Sequence, residues 1–214
     1  MLLYARQNSW SRKKPEKLSF YEFIKILAIR IRTDLMDTLE KFNSAQINIV
    51  NNSVAMAEEL VSDYYKMSAS QWLHRKYDVK TLADLKPDET VQGPFAQIIR
   101  YKGRHKDSQL GSSTYDFYKI CLQDNAILSV HKQFSQIKLF PFTLYIITHE
   151  LIHIVRFSKF LQNFDASHEE MMIEEARVHE ITHGILFETR VSGIADVLKF
   201  YKNWLKPVED LRKH

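Results

Sequence analysis

The run Pro141-Phe142-Thr143-Leu144-Tyr145-Ile146-Ile147-Thr148-His149-Glu150-Leu151-Ile152-His153-Ile154-Val155-Arg156-Phe157 decides how the rest of the chain is read. It is apolar almost throughout and too long for an ordinary strand. Pro141 suits the first turn of a helix and no later one. We therefore read a strong helix from about 141 to 160. Its polar interruptions are His149, Glu150, His153 and Arg156. Positions four apart lie one above the other on a helix face, so His149 and His153 can present two imidazoles to one cation. Histidine and glutamate set in an apolar helix cost free energy unless something partners them. A metal ion would be such a partner, and Glu150 would stand on the neighbouring side of the helix.

The next segment repeats the theme. Asn163-Phe164-Asp165-Ala166-Ser167 breaks the first helix, and Ser167-His168-Glu169-Glu170 has the form of a capped start. This predicts a helix from about 168 to 189. Within it Glu175, His179 and His183 recur at four-residue spacing and line one face, while Glu174, Val178, Ile181 and Ile185 form the adjacent, more apolar face. Taken alone, such a stripe reads as a solvated face with incidental histidines. Beside the preceding motif it reads as a supply of further ligands. The candidate metal ligands are thus His149, His153, Glu175 and His179, with Glu150 as the catalytic candidate. Glu174, His183 and Glu180 are further candidates for the metal or its surroundings.

His149-Glu150-x-x-His153, followed on the next helix by a glutamate 22 positions later, resembles the zincin metallopeptidases, and within them the gluzincin or thermolysin-like branch. The resemblance covers about residues 91–189. It implies that His149 and His153 are zinc ligands, that Glu175 is the third, and that Glu150 is the general base acting on a metal-activated water. It also implies a supporting residue four positions beyond the third ligand, and an edge strand that holds an extended peptide substrate. The chain departs from the pattern at that supporting position, which holds His179 rather than an acid. His179 and Glu174 therefore stay open as alternative ligands. Tyr115, Tyr118 and His131 are candidates for stabilising an oxyanion. His183-Gly184-Ile185-Leu186-Phe187 more faintly resembles the third-ligand segment of Spartan-like proteases, at a longer spacing.

Further out, the texture changes on both sides. Ser192-Gly193 ends the second ligand-bearing helix, and a last short helix is expected over about 194–205. Upstream, about three short strands are expected between 91 and 131: Phe95 to Tyr101, Tyr115 to Leu122, and a third through Ile127, Leu128 and Val130 after a hairpin turn at Asp124-Asn125. Lys102 to Thr114 reads as a loop, and Lys86-Pro87-Asp88-Glu89 as a turn. Helices are expected at about 20–45, behind the capping box Ser19-Phe20-Tyr21-Glu22, and at about 52–67 and 69–77. Residues 1–17 form a polar, basic leader with the composition of a disordered segment. The expected fold class is α+β: mostly helical, with a small sheet before the HExxH helix and its companion. The organisation is a leader at 1–17, an N-terminal helical region at 18–88 and a zincin-like metal-binding region at 89–214, the last two forming one compact unit.

Composition narrows the function classes. The chain has 214 residues, enough for a real core, and only 5 glycines and 5 prolines, which suits long helices. Its formal charge is +4 with no long one-sign patch beyond Arg12-Lys13-Lys14 and Lys17, so we expect no nucleic-acid role. Cys121 is the only cysteine, which excludes an intrachain disulfide and a thiolate zinc cluster and fits the cytoplasm. No signal peptide and no apolar span of about 18 residues is seen, so no membrane partner is expected. The expected protein is a zinc-dependent hydrolase, a metallopeptidase acting on a peptide or protein substrate. Two rivals use the same residues. Glu150-x-x-His153 and Glu180-x-x-His183 form the paired pattern of ferritin-like iron or manganese bundles, with Glu22, Glu40, Glu58 and Glu59 as extra carboxylates. A zincin fold without turnover would be a binding module.

Overall fold

The computed structural model describes residues 5–6, 39–68, 76–104 and 114–202. Five helices and four strands are found among them: β1 (Ala5–Arg6), α1 (Ser44–Tyr65), β2 (Lys76–Lys80), β3 (Ala96–Arg104), β4 (Thr114–Leu122), α2 (Asp124–Gln133), α3 (Leu139–Ser158), α4 (His168–Phe187) and α5 (Ile194–Tyr201). The fold is mostly helical α+β, with the small sheet preceding the two long helices, as the sequence predicts. Short 3-10 turns at Leu82–Asp84 and Pro87–Glu89 link β2 to β3.

The sheet runs in the order β1-β3-β4-β2. β3 and β4 are antiparallel, pairing Ala96 with Leu122 and Arg104 with Thr114. β2 lies parallel to β4, and β1 lies parallel to β3 at Ile99 and Arg100. Side chains alternate across a strand. Ala96, Ile98, Tyr118, Ile120 and Leu122 therefore face the main core, whereas Ile99 and Cys121 join Leu82 and Leu85 in a second, smaller cluster behind the sheet.

α3 is the axis of the molecule. Every residue from Pro141 to Phe157 is buried. A helix that is apolar on all sides must be covered on all sides. α1, α2, α4, α5 and β3 all pack against it. Ser53 of α1 and Thr143 of α3 share a hydrogen bond of 2.7 Å where the two helices meet. Both long helices flanking the axis start at capping boxes. Asn43 and Gln46 cap α1, and the expected box at Ser167 and Glu170 caps α4. α3 ends with Leu161 N–H donating to Arg156 C=O at 2.9 Å and Phe160 N–H to Phe157 C=O at 3.1 Å. That pair is the Schellman arrangement, here with Phe160 at φ 56° in the left-handed position.

Several expectations need correction. The third strand does not exist: residues 124–133 are helix α2. Ala126 and Ile127 N–H both turn back to Gln123 C=O, and the buried Asp124 carboxylate accepts from Phe42 N–H and Leu82 N–H, each at 2.9 Å. Asp124 is thus a buried tie between segments rather than a hairpin corner. The helix expected over 69–77 ends in strand β2, and residues 69–75 lie outside the described residues. The helix expected over 20–45 also lies largely outside them, while 39–43 are non-helical and α1 starts at Ser44, earlier than the 52 expected. Part of the loop read at 102–114 is strand, since β3 runs to Arg104 and β4 begins at Thr114. No described helix is long and apolar enough to cross a membrane.

Candidate metal centre

α3 and α4 lie side by side and run in opposite directions. The contacts between them form a ladder: His149 stands against His179, His153 against Glu175, and Arg156 against Glu174. His149, His153 and Arg156 belong to one stripe of α3, since they follow each other at four- and three-residue steps. Glu175 and His179 are one turn apart on α4.

Four side chains converge at the first two rungs. His149 Nε2 is 3.1 Å from Glu175 Oε1 and 3.2 Å from His153 Nε2. His153 Nε2 is 3.4 Å from Glu175 Oε2, and His179 Nε2 is 3.4 Å from Glu175 Oε1. Donors bound tetrahedrally to zinc at about 2.0–2.1 Å are separated by about 3.3 Å. His149, Glu175 and His179 each offer a donor atom within 4.8 Å of the others, a grouping that could hold one cation, and His153 Nε2 lies beside His149 and Glu175. The Glu175 carboxylate spans the two imidazoles, its Oε1 facing His149 and its Oε2 facing His153. All three histidines are buried, at 5%, 0% and 4% exposure for His149, His153 and His179.

The outer ring nitrogens differ from one another. His153 Nδ1 is 3.3 Å from Gln162 Oε1, and His179 Nδ1 is 2.9 Å from the Tyr145 hydroxyl. An Nδ1–H given to Gln162 leaves the Nε2 lone pair of His153 aimed at the cluster, the arrangement that metal-binding histidines use. His149 Nδ1 is buried without a hydrogen-bond partner.

Electrostatics separates the groups. Burial, helped by the neighbouring His179, pushes His149 down to about 3, so its ring is neutral at pH 7. Burial works against charge on His153 too, but its contacts with the Glu175 carboxylate hold it above the ordinary histidine value. Burial opposes charge on Glu175, yet the three imidazoles keep its carboxyl well below the usual range. Burial pushes Glu150 up to about 8. One of its oxygens, Oε2, is buried with no hydrogen-bond partner. A carboxyl poised in this way suits proton transfer near neutral pH.

A cleft opens beside the cluster. His149, Glu150, Glu175 and His179 form its polar wall. Gly93, Pro94, Phe95, Ala96, Ile146, Tyr145 and Tyr201 make the rest, with no lysine, arginine or other carboxylate among the described lining residues. α5 supplies Tyr201, whose ring stacks on Tyr145 at 3.9 Å and 7°.

The sequence candidates separate cleanly. His149, His153, Glu175 and His179 come together, with Glu150 beside them on the cleft. Glu174 faces away and is held by Arg156 and Arg177. Glu180 is exposed, and His183 stacks on Phe187 at 6.1 Å, so neither joins the cluster. The extra carboxylates are engaged elsewhere: Glu40 with Lys132, and Glu58 with the Tyr77 hydroxyl. Glu59 is exposed on α1, and Glu22 lies outside the described residues. Tyr115, Tyr118 and His131 do not line the cleft. Tyr118 stacks on Phe157, and His131 Nδ1 is 2.7 Å from Ile137 C=O. The tyrosines at the site are Tyr145 and Tyr201. Tyr145 was findable, being one turn before His149 on the same stripe; Tyr201 had no local signal. No protein-family model, no curated protein and no solved structure matches the chain.

Proposed function

We propose that this protein is a zinc-dependent hydrolase, with peptides or proteins as substrates. One observation carries the reading: Glu175 stands 3.1 Å from His149 and 3.4 Å from His153, while Glu150, between those histidines in sequence, faces the cleft. A purely structural site would have no use for a buried carboxyl beside its ligands. His149, His153 and Glu175 would hold the ion, with His179 against Glu175 Oε1. Bound zinc would supply Lewis acidity and make water a nucleophile at neutral pH.

The chain's own part follows from the cleft. Glu150 would take a proton from the attacking water as the carbon–oxygen bond forms. It would then return that proton to the leaving nitrogen as the carbon–nitrogen bond breaks. Main-chain recognition is supported by β3. Gln123 N–H donates to Phe95 C=O at 2.8 Å, so Phe95 points its polar groups toward β4. By antiparallel alternation Ala96 points its N–H and C=O the other way. Among the described residues β1 reaches β3 only at Ile99 and Arg100, so no described strand pairs with Ala96 on that side. An extended substrate could pair there. The buried single thiol, Cys121, is consistent with a cytoplasmic location.

The test is elemental analysis of the purified protein by plasma mass spectrometry, followed by peptidase screening of Glu150→Gln. About one zinc per chain, lost in His153→Ala, with metal retained but turnover abolished in Glu150→Gln, is expected. Two iron or manganese ions per chain, or full peptidase activity in Glu150→Gln, would overturn the reading.

A further inference from the structure

Arg156 and Glu174 are a charged pair inside the protein, at 8% and 4% exposure. Arg156 comes three residues after His153, and Glu174 immediately before Glu175. The guanidinium meets the carboxylate with two nitrogens. Nε donates to Oε1, and Nη2 donates to Oε2 at 3.1 Å. Arg177, one turn further along α4, adds a third donor to Oε2 at 3.1 Å. Tyr65 at the end of α1 lies beside the same guanidinium.

We infer that Arg156 and Glu174 are positioning residues for the metal centre, fixing the register of α4 against α3 so that Glu175 meets His149 and His153. The inference rests on reading that cluster as a metal centre. Apolar packing between two helices is non-directional and tolerates small slides and rotations. A two-pronged guanidinium–carboxylate contact does not, because both its distance and its plane are set. The segment between the helices, residues 159–167, is irregular, with Phe160 in the left-handed region; its anchors include Phe164, packed on Phe157, and Gln162 Oε1, 3.3 Å from His153 Nδ1. A slide of one turn would remove Glu175 from His153 entirely. A rotation bringing Glu174 inward would carry Glu175 away from the cluster, because neighbours on a helix point about 100° apart. With Glu174 clamped to α3, Glu175 has one place to go.

A buried pair that served only the fold would be dispensable in a specific way. Replacing both partners of a buried ion pair by apolar residues is often neutral or stabilising. The double variant Arg156→Met with Glu174→Leu therefore separates the two roles. Cobalt(II) is the probe, added to the full-length metal-free protein, with affinity read by chelator competition and ligand geometry by visible absorption. The double variant is expected to fold with a thermal midpoint at or above that of the wild type. It should nevertheless bind cobalt about 10–100-fold more weakly, with altered absorption bands. Arg156→Lys keeps the charge but loses the fork, so it should recover only part of the affinity. Wild-type affinity and spectrum in the double variant would overturn the inference, as would a double variant that fails to fold, because the pair would then serve the fold itself. A wild-type protein that takes up no cobalt would instead sink the metal reading beneath it, and that result appears before any variant is made.

Discussion

The Tyr145 hydroxyl lies 2.9 Å from Nδ1 of His179, across the interface of α3 and α4. His179 in turn places its Nε2 3.4 Å from Glu175 Oε1. Tyr145 thus reaches Glu175 through His179, and its ring lies under Tyr201 at the cleft. In Tyr145→Phe the stacking survives and only the hydroxyl goes. A buried ring nitrogen then loses a partner, at a cost of about 1–3 kcal/mol of stability. We expect zinc affinity to fall roughly tenfold as the ring becomes free to turn. Chelator competition measures this directly, and an unchanged affinity would mean that His179 is held by its other contacts.

Metal removal should be visible as lost stability. An ion bound to the folded state at about 1,000 times its Kd contributes about 4 kcal/mol. For a chain of this size that corresponds to roughly 8–16 °C in thermal midpoint. A strong chelator should lower the midpoint of zinc-loaded wild type by that order and leave His149→Ala where it was. If the chelator moves both proteins equally, its action lies somewhere other than the His149 cluster.

Glu89 offers a pH dependence well away from the ligands. Its carboxylate is fully buried and accepts from the Lys119 ammonium at 2.6 Å, the Tyr101 hydroxyl at 2.7 Å and Lys86 N–H at 2.9 Å. Burial alone would raise it, but Lys119, the Lys86 N–H and Tyr101 outweigh burial and hold it below the ordinary glutamate value. A carboxyl depressed in the folded state stabilises above its unfolded value, near 4.5, and that stability is lost as pH falls through the folded value. Glu89→Gln should cost roughly 3 kcal/mol at pH 7, since it breaks a largely buried pair. The gap between wild type and variant should narrow as pH drops below about 4.5. Urea unfolding at several pH values tests this; a gap that widens toward acid would contradict the assigned sign.

How much of this was legible beforehand follows from the range of each signal. The histidine–glutamate cluster was local. His149 and His153 are one turn apart, Glu175 and His179 are one turn apart, and both helices carry strong periodicity or caps. Four-residue spacing was therefore enough to nominate all four. It could not choose between Glu174 and Glu175, because neighbouring residues differ only in helix rotation, and rotation is set by Arg156 on another helix. Tyr201 was invisible for the same reason. It reaches the cleft only because α5 folds back onto α3. The misreading at 124–133 came from a short apolar run whose period suits either structure. What decided it was a long-range fact, the burial of the Asp124 carboxylate against Phe42 and Leu82.

The end of α3 gives a prediction about stability alone. Phe160 occupies the left-handed position of the helix stop at φ 56°, a place that glycine takes without strain. Its side chain is 95% exposed, so its ring contributes almost no burial in return. A left-handed backbone costs an ordinary residue about 1–2 kcal/mol. Phe160→Gly should remove that cost without opening a cavity. Part of the gain is offset because glycine also loosens the unfolded chain. The net expectation is a stabilisation of about 1 kcal/mol, or roughly 2–4 °C in thermal midpoint. Calorimetry of the two proteins at equal metal loading measures it. The two hydrogen bonds that close the stop, from Phe160 N–H and Leu161 N–H, use only backbone and survive the change. A midpoint that falls instead would mean that the exposed ring is held by contacts formed in solution, and that Phe160 belongs to an interaction surface.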